Sequence, residues 1–169
     1  MRAILLIGSN LGDKAGYMAE ARERLRGLGR EIAASRLYSS RPFGGLDQGD
    51  FLNAAISFET DLPPEPLLAE VKAVEREIGR TPSKRWGPRE IDIDIALLGD
   101  VVFDSDELNI PHSGLLERDF FIVPIIEILP ETMDPRTGKR LTEALSEMPE
   151  ESKTIISIYR DERWQNQTI

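Results

Sequence analysis

The chain has 169 residues, 40% of them hydrophobic and 30% charged, and a formal net charge of −9. That length fits one domain with a real core, and the composition excludes a disordered chain. The absence of Cys and the single His, His112, exclude disulfides, thiolate chemistry and multi-histidine metal sites. The acidic total opposes non-specific nucleic-acid binding, which needs a basic face. No apolar run approaches the ~20 residues of a membrane span, and Ala3 to Ile7 is too short for a signal-peptide core, so a soluble cytoplasmic protein is expected. Neither a P-loop nor a G-x-S-x-G elbow occurs.

In chain order, Ala3 to Ile7 reads as a buried strand ended by Gly8-Ser9-Asn10-Leu11-Gly12. A helix follows to about Leu28, with Met18, Ala21, Leu25 and Leu28 on one face, Asp13 as its cap and Gly27 and Gly29 ending it. Ser9 and Asn10 also read as caps. Glu31 to Ser39 and Phe51 to Thr60 read as strands, joined by a Gly- and Pro-rich loop over residues 40–50 that is long for a hairpin. A second helix starts near Pro64 to Pro66, carries Leu67, Val71, Val74 and Ile78 on one face, and stops at Gly79. After an irregular stretch, Ile91 to Leu98 is a strand. This order predicts a ferredoxin-like βαββαβ core, mainly antiparallel, in three α/β/α layers with long mobile loops. Beyond Gly99, residues 101–103 read as a short strand, 120–128 and 141–148 as short helices, and 154–159 as a late strand of unfixed place.

Alternation puts Ile91, Ile93, Ile95 and Leu97 on one face of the last core strand, and Glu90, Asp92, Asp94 and Ala96 on the other. Asp is a poor strand former, and two on one face stand roughly 6–7 Å apart. Either this is a solvated acidic face, or the pair holds divalent cations, since Mg²⁺ uses one or two carboxylates and completes its shell with water and phosphate oxygens. Residues 72–89 carry a net +4, leaving −13 elsewhere. A basic segment feeding an acidic strand suits a metal–polyphosphate site, although cations also suit a helix C-terminus. On the strand from Phe51, Leu52, Ala54, Ile56 and Phe58 form the apolar face, while Phe51 and Asn53 share the other. A ring beside an amide can stack on a flat heterocycle and read its edge, or simply tie down the preceding loop. Trp86 either anchors its loop or closes it over a ligand. His112 is a lone loop His.

These segments together resemble the 6-hydroxymethyl-7,8-dihydropterin pyrophosphokinase family. The run Arg85-Trp86-Gly87-Pro88-Arg89-Glu90-Ile91-Asp92-Ile93-Asp94-Ile95 is similar to its longest signature. Leu6-Ile7-Gly8-Ser9-Asn10-Leu11-Gly12, Tyr38 to Gly44, Asp47-Gln48, Phe51 to Ala55, and Pro111-His112 with Arg118 and Phe120 resemble its other motifs. The resemblance runs from about residue 3 to 130. It implies transfer of pyrophosphate from ATP, the co-substrate, to the hydroxymethyl group of the pterin, releasing AMP, within folate biosynthesis. It further implies two Mg²⁺ on Asp92 and Asp94, with Arg80 and Arg89 stabilising charge on the transferring group. Phe51 and Phe120 would sandwich the pterin, with Ser40, Arg41, Pro42, Phe43 and Asn53 reading its edge and Trp86 closing nearby. The ATP side would comprise Leu68, Lys72, Glu75, Arg80, Lys84, Trp86 and Arg89, then Ile95, Leu108, Asn109, His112, Ser113 and Arg118. Phe51 stands where relatives often have Tyr, Ser40 where they often have Thr, and Glu107 where some have a basic residue. One domain over residues 1–169 is expected, monomeric and acting on small molecules without nucleic acid or membrane, with residues 150–169 of unassigned role. A two-metal nucleotidyl cyclase relative leaves the Phe51, Asn53 and Phe120 set unexplained, and an RNA-binding module conflicts with the acidic pair.

Overall fold

The computed structural model describes residues 1–43, 47–79 and 88–167, in which six antiparallel strands lie between two helical layers. Strand β1 (Arg2–Ser9) is a continuous apolar run because both of its faces are covered. It pairs on one side with β4 (Phe51–Glu59) and on the other with β5 (Asp92–Leu98). On the far side of β4 lie β2 (Arg30–Ala34) and β3 (Leu37–Ser40), and β3 is flanked by an edge strand, β8 (Ile155–Tyr159). The ferredoxin-like order is thus present, extended by one strand that the sequence left unplaced.

The strand expected over residues 31–39 is two strands on one partner. Ser35 lies between them, its N–H donating to the Ala55 carbonyl and its Oγ accepting from the Ala55 N–H, which kinks the chain without leaving the sheet. Helix α1 (Lys14–Leu25) ends earlier than Leu28, in a single 3₁₀ turn over residues 26–28. Its cap is Asp13, which accepts from the Gly16 N–H; Ser9 and Asn10 do not cap it. Helix α2 (Pro64–Ile78) begins on prolines and stops at Gly79, whose φ of +97° a side chain would disfavour.

Helices α1 and α2 pack Met18, Ala21, Leu25, Leu67, Val71 and Val74 onto Leu52, Ala54, Ile56, Phe58, Ile91, Ile93 and Ile95. The opposite sheet face is covered by α3 (Asp119–Ile128) and α4 (Leu141–Glu147) through Phe121, Ile122, Ile125, Leu141 and Ala144. Leu97 belongs to this second core, against the expected alternation. Leu5 pairs with Ile95 and Ile4 with Leu97, so Ala96 is an extra residue and the bulge turns Leu97 over. The strand expected at residues 101–103 is instead β6 (Phe103–Asp104), paired with β7 (Asn109–Ile110). At the C-terminal end a short helix, α5 (Glu162–Gln165), seats Trp164 in the α1 core. Among the described residues no helix is long and apolar enough to cross a membrane.

Candidate active site

Where α3 and α4 stop short of covering the sheet, a cavity of about 320 Å³ remains over the ends of β1, β4 and β5. Its floor follows from strand pairing. Gly8 of β1 stands between Asn53 on one side and Asp92 on the other, and Leu6 stands beside Asp94. A Cβ on Gly8 would come within 3.4 Å of Asn53 Oδ1 and 3.6 Å of the Phe51 ring, so the missing side chain joins the aromatic–amide half of the cavity to its carboxylate half.

On the first half, Asn53 is buried and its Nδ2 donates to Ser40 Oγ at 2.7 Å and toward the Tyr38 carbonyl at 3.5 Å. Those bonds fix the amide orientation and leave Oδ1 on the Gly8 side as an acceptor. Phe51, Phe43 and Phe120 line the same half. The Phe43 and Phe120 rings lie 6.0 Å apart, and the Arg118 guanidinium sits 4.9 Å from the Phe43 ring.

On the second half, Arg89 pairs with Asp92 at 3.0 Å. Burial, reinforced by the Asp92 charge, pushes the Asp94 carboxyl up to about 7. Such an excess of negative charge on one strand is what a cation relieves. Among the described residues no group of three or more Asp, Glu and His forms a closed metal cage. Two carboxylates open to a cavity suit Mg²⁺, which keeps water and substrate oxygens in its shell.

His112 reaches the site because its N–H donates to the Ala96 carbonyl on the outer edge of β5, where the bulge lies. Its Nδ1 accepts from the Gly114 N–H at 2.9 Å, so the neutral ring carries its proton on Nε2. That nitrogen faces Asp94 Oδ1 at 3.7 Å, too far for a hydrogen bond, so its N–H is open to a cavity oxygen beside the carboxylate. Burial, then the Arg118 charge, holds the ring down at about 4, so it is an uncharged donor at neutral pH. Phe121 meets it edge-on at 4.9 Å.

Twelve of the residues expected in the site line this cavity: Ser40, Arg41, Phe43, Phe51, Asn53 and Phe120 on the ring side, and Arg89, Asp92, Asp94, His112, Ser113 and Arg118 opposite. Pro42 and Asn109 lie outside its wall. Ile95 and Leu108 point into the α1–α2 core, and Leu68 packs against it. Lys72 and Glu75 lie on α2 behind β5, where the buried Glu75 carboxylate accepts from the Ile93 N–H at 2.8 Å and from Lys72. Arg80, Lys84 and Trp86 fall outside the described residues.

Sequence patterning missed Gly8, Phe121 and Asn10. Phe121 looks like an ordinary apolar helix residue. Asn10 is no cap: its Oδ1 accepts from the Arg89 N–H at 2.8 Å, while Nδ2 donates to Gln48 Oε1 and the Gly49 carbonyl. One side chain thereby ties the segment carrying Arg89 to the loop before β4. The G-S-N-L-G turn was the visible signal, but not its partners.

Fold and cavity define a ferredoxin-like α/β protein with a carboxylate pair and an aromatic–amide wall facing one space. The 7,8-dihydro-6-hydroxymethylpterin-pyrophosphokinase family model matches residues 4–130, and the chain belongs to that family. It is 42% identical over 137 residues to the 2-amino-4-hydroxy-6-hydroxymethyldihydropteridine pyrophosphokinase of Aquifex aeolicus, covering 81% of this chain and 86% of that one. The Methylorubrum extorquens enzyme of the same name is 40% identical, with 87% and 93% covered. In the Pisum sativum folate synthesis bifunctional protein the match spans 79% of this chain but 26% of the relative, at 38% identity. A crystal structure of Plasmodium falciparum HPPK-DHPS with pteroate shares the fold with a TM-score of 0.68 at 16% identity, covering 86% of this chain and 42% of that one. Family membership removes the nucleotidyl cyclase and RNA-binding readings.

Proposed function

We propose that the chain transfers the terminal pyrophosphate of ATP to the hydroxymethyl oxygen of 6-hydroxymethyl-7,8-dihydropterin, releasing AMP, in folate biosynthesis. The observation that carries this reading is the single cavity in which Phe51 and Asn53 on β4 face Asp92 and Asp94 on β5 across Gly8. A flat heterocycle stacks between Phe51 and Phe120, with the free Asn53 Oδ1 accepting from its edge and the Ser40 to Phe43 segment beside it. Asp92 and Asp94 would hold two Mg²⁺, which would supply neutralising charge for the triphosphate.

The hydroxymethyl oxygen attacks the β-phosphorus while the bond from that phosphorus to the α,β-bridging oxygen breaks. AMP leaves with the bridging oxygen, and the hydroxyl proton passes to solvent water. Little covalent help is needed, so positioning and charge dominate. Arg89 and Arg118 supply fixed positive charge, and the His112 Nε2–H donates a neutral hydrogen bond in the gap beside Asp94. Ser113, Leu68, Lys72, Glu75, Ile95, Leu108 and Asn109 complete the ATP side in this reading, with Arg80, Lys84 and Trp86 joining from the segment before Arg89. Residues 1–169 act as one domain, a reading supported by Trp164 sharing a core with β1 and α1. A cytoplasmic monomer working on two small molecules completes this reading.

Incubation with Mg²⁺, ATP and the hydroxymethyl dihydropterin tests this directly. AMP release that requires the pterin is the expected result; ADP, or AMP formed equally without pterin, would overturn it.

A further inference from the structure

We infer that Asp119 and the start of β8 form a brace that sets the spacing of the ring side of the cavity, making Asp119 a positioning residue for Phe120. This rests on the pterin reading of that half. Asp119 is 2% exposed and, among the described residues, accepts four hydrogen bonds, none from a basic side chain. Its Oδ1 takes the Phe120 N–H at 2.9 Å and Thr154 Oγ1 at 2.7 Å. Its Oδ2 takes the N–H groups of Thr154 at 2.7 Å and Ile155 at 2.8 Å. Burying an ionised carboxylate among neutral donors is costly unless its acceptor sites are filled, and here four are.

Thr154 is bonded on its other side to the opposite wall. Its carbonyl accepts from the Arg41 N–H at 2.9 Å, and the neighbouring Lys153 carbonyl accepts from the Arg41 guanidinium at 2.5 Å. A single residue just before β8, Thr154, therefore joins the first turn of α3, which carries Phe120, to the segment carrying Arg41 and Phe43. Both walls line the cavity, and the Phe43 and Phe120 rings meet there at 6.0 Å, tilted by 57°. A heterocycle stacked on Phe120 needs contacts of about 3.5–4.0 Å with that ring, so a small shift of the α3 wall relative to the Arg41 segment forfeits much of the stacking attraction. The segment from residue 153, without apparent chemistry in the sequence, thus acts on pterin affinity through Asp119.

The test uses Asp119→Asn, which loses half of the acceptor set, and Thr154→Val, which removes one donor and leaves the backbone bonds. For Asp119→Asn we expect the pterin KM to rise about tenfold, the scale of one hydrogen bond to a charged group, while Mg-ATP binding changes less than about twofold. Thr154→Val gives a smaller rise of the same kind, and carries the test if Asp119→Asn fails to fold. In a Phe120→Ala background Asp119→Asn has no further effect on pterin KM, an outcome that a merely structural residue would not produce. Equal losses for both substrates, or additive effects with Phe120→Ala, would overturn the brace. Amide hydrogen exchange separates this from failure of the pterin reading. Asp119→Asn should accelerate exchange at both Phe120 and Arg41 whatever the substrate, and acceleration at Phe120 alone would overturn the coupling.

Discussion

Asp94 and His112 depart from their ordinary titration in opposite senses, and their proximity makes the pair a pH experiment. An Asp raised from 3.8 to about 7 keeps in the native state a proton that the unfolded chain has shed, so its contribution to stability falls as pH rises through that window. A His lowered from 6.5 to about 4 is already neutral when the unfolded His is charged, so its contribution grows with pH over nearly the same range. From pH 4.5 to 6.5 the two offset each other, and the melting temperature of the wild type is expected to be nearly flat. Asp94→Asn should then gain stability toward pH 6.5 and His112→Gln should lose it, by at most about 1.4 kcal/mol per pH unit for each proton. Thermal melts across that range check both signs, and parallel curves for the two variants would refute the assignment. Gly8 offers a second test at this scale. Its Cβ would make only ordinary contacts, 3.4 Å to Asn53 and 3.6 Å to Phe51. Gly8→Ala should therefore fold normally, yet weaken binding of both substrates because the new methyl occupies the junction between them; steady-state KM for each, alongside a melt, tests this. The two aspartates were legible from alternation alone, whereas the meaning of Gly8 depends on its cross-strand neighbours.

Among the elements, the strands that carry chemistry were readable where both of their periodicities survived. Leu52, Ala54, Ile56 and Phe58 face the α1–α2 core as alternation requires. Leu97 does not, because the bulge at Ala96 is imposed by the register against β1 and leaves no mark within β5 itself. The same edge of β5 holds His112, so the irregularity lies where the third segment joins the site. Asn10 acts between elements. Its side chain bonds reach Gln48 and Arg89, 38 and 79 residues away, distances at which no local pattern informs. Asn10→Ala removes the partners of the half-buried Arg89 N–H and the exposed Gly49 carbonyl, at about 1 kcal/mol, since water replaces part of what is lost. Because those bonds position loops rather than core, kcat/KM is expected to fall by about tenfold or more with a melting shift of only a few degrees. Steady-state kinetics beside a thermal melt decides it; a large melting shift with unchanged kcat/KM would make Asn10 merely structural.

Across the whole molecule, the C-terminal segment closes the structure at two places. At one end β8 borders β3 and bonds to Asp119, and the two residues before it bond to Arg41. At the other, Trp164 is 2% exposed in the α1 core, its Nε1–H donates to the Ser35 carbonyl at 2.9 Å, and its ring lies 4.9 Å from the Arg22 guanidinium. Arg22 in turn holds the buried Glu31 at 2.6 Å, so the indole covers an ion pair that water would weaken. Trp164→Ala should cost about 3–5 kcal/mol, as large aromatic truncations in cores do, lowering the melting temperature by roughly 10 °C. Denaturant titration measures it, and a loss below about 1 kcal/mol would mean that the segment merely rests on the surface. The sequence by itself determined the core elements, the faces of β4 and most of β5, and which side chains are chemically capable, because periodicity and residue type are local and act before the chain is folded. The tertiary structure alone decided that Gly8 joins two half-sites, that Asn10 and Asp119 brace them, and that the last strand borders the ring side. Those roles arise from pairings between residues far apart in the chain, and such pairings exist only once the sheet has set their register.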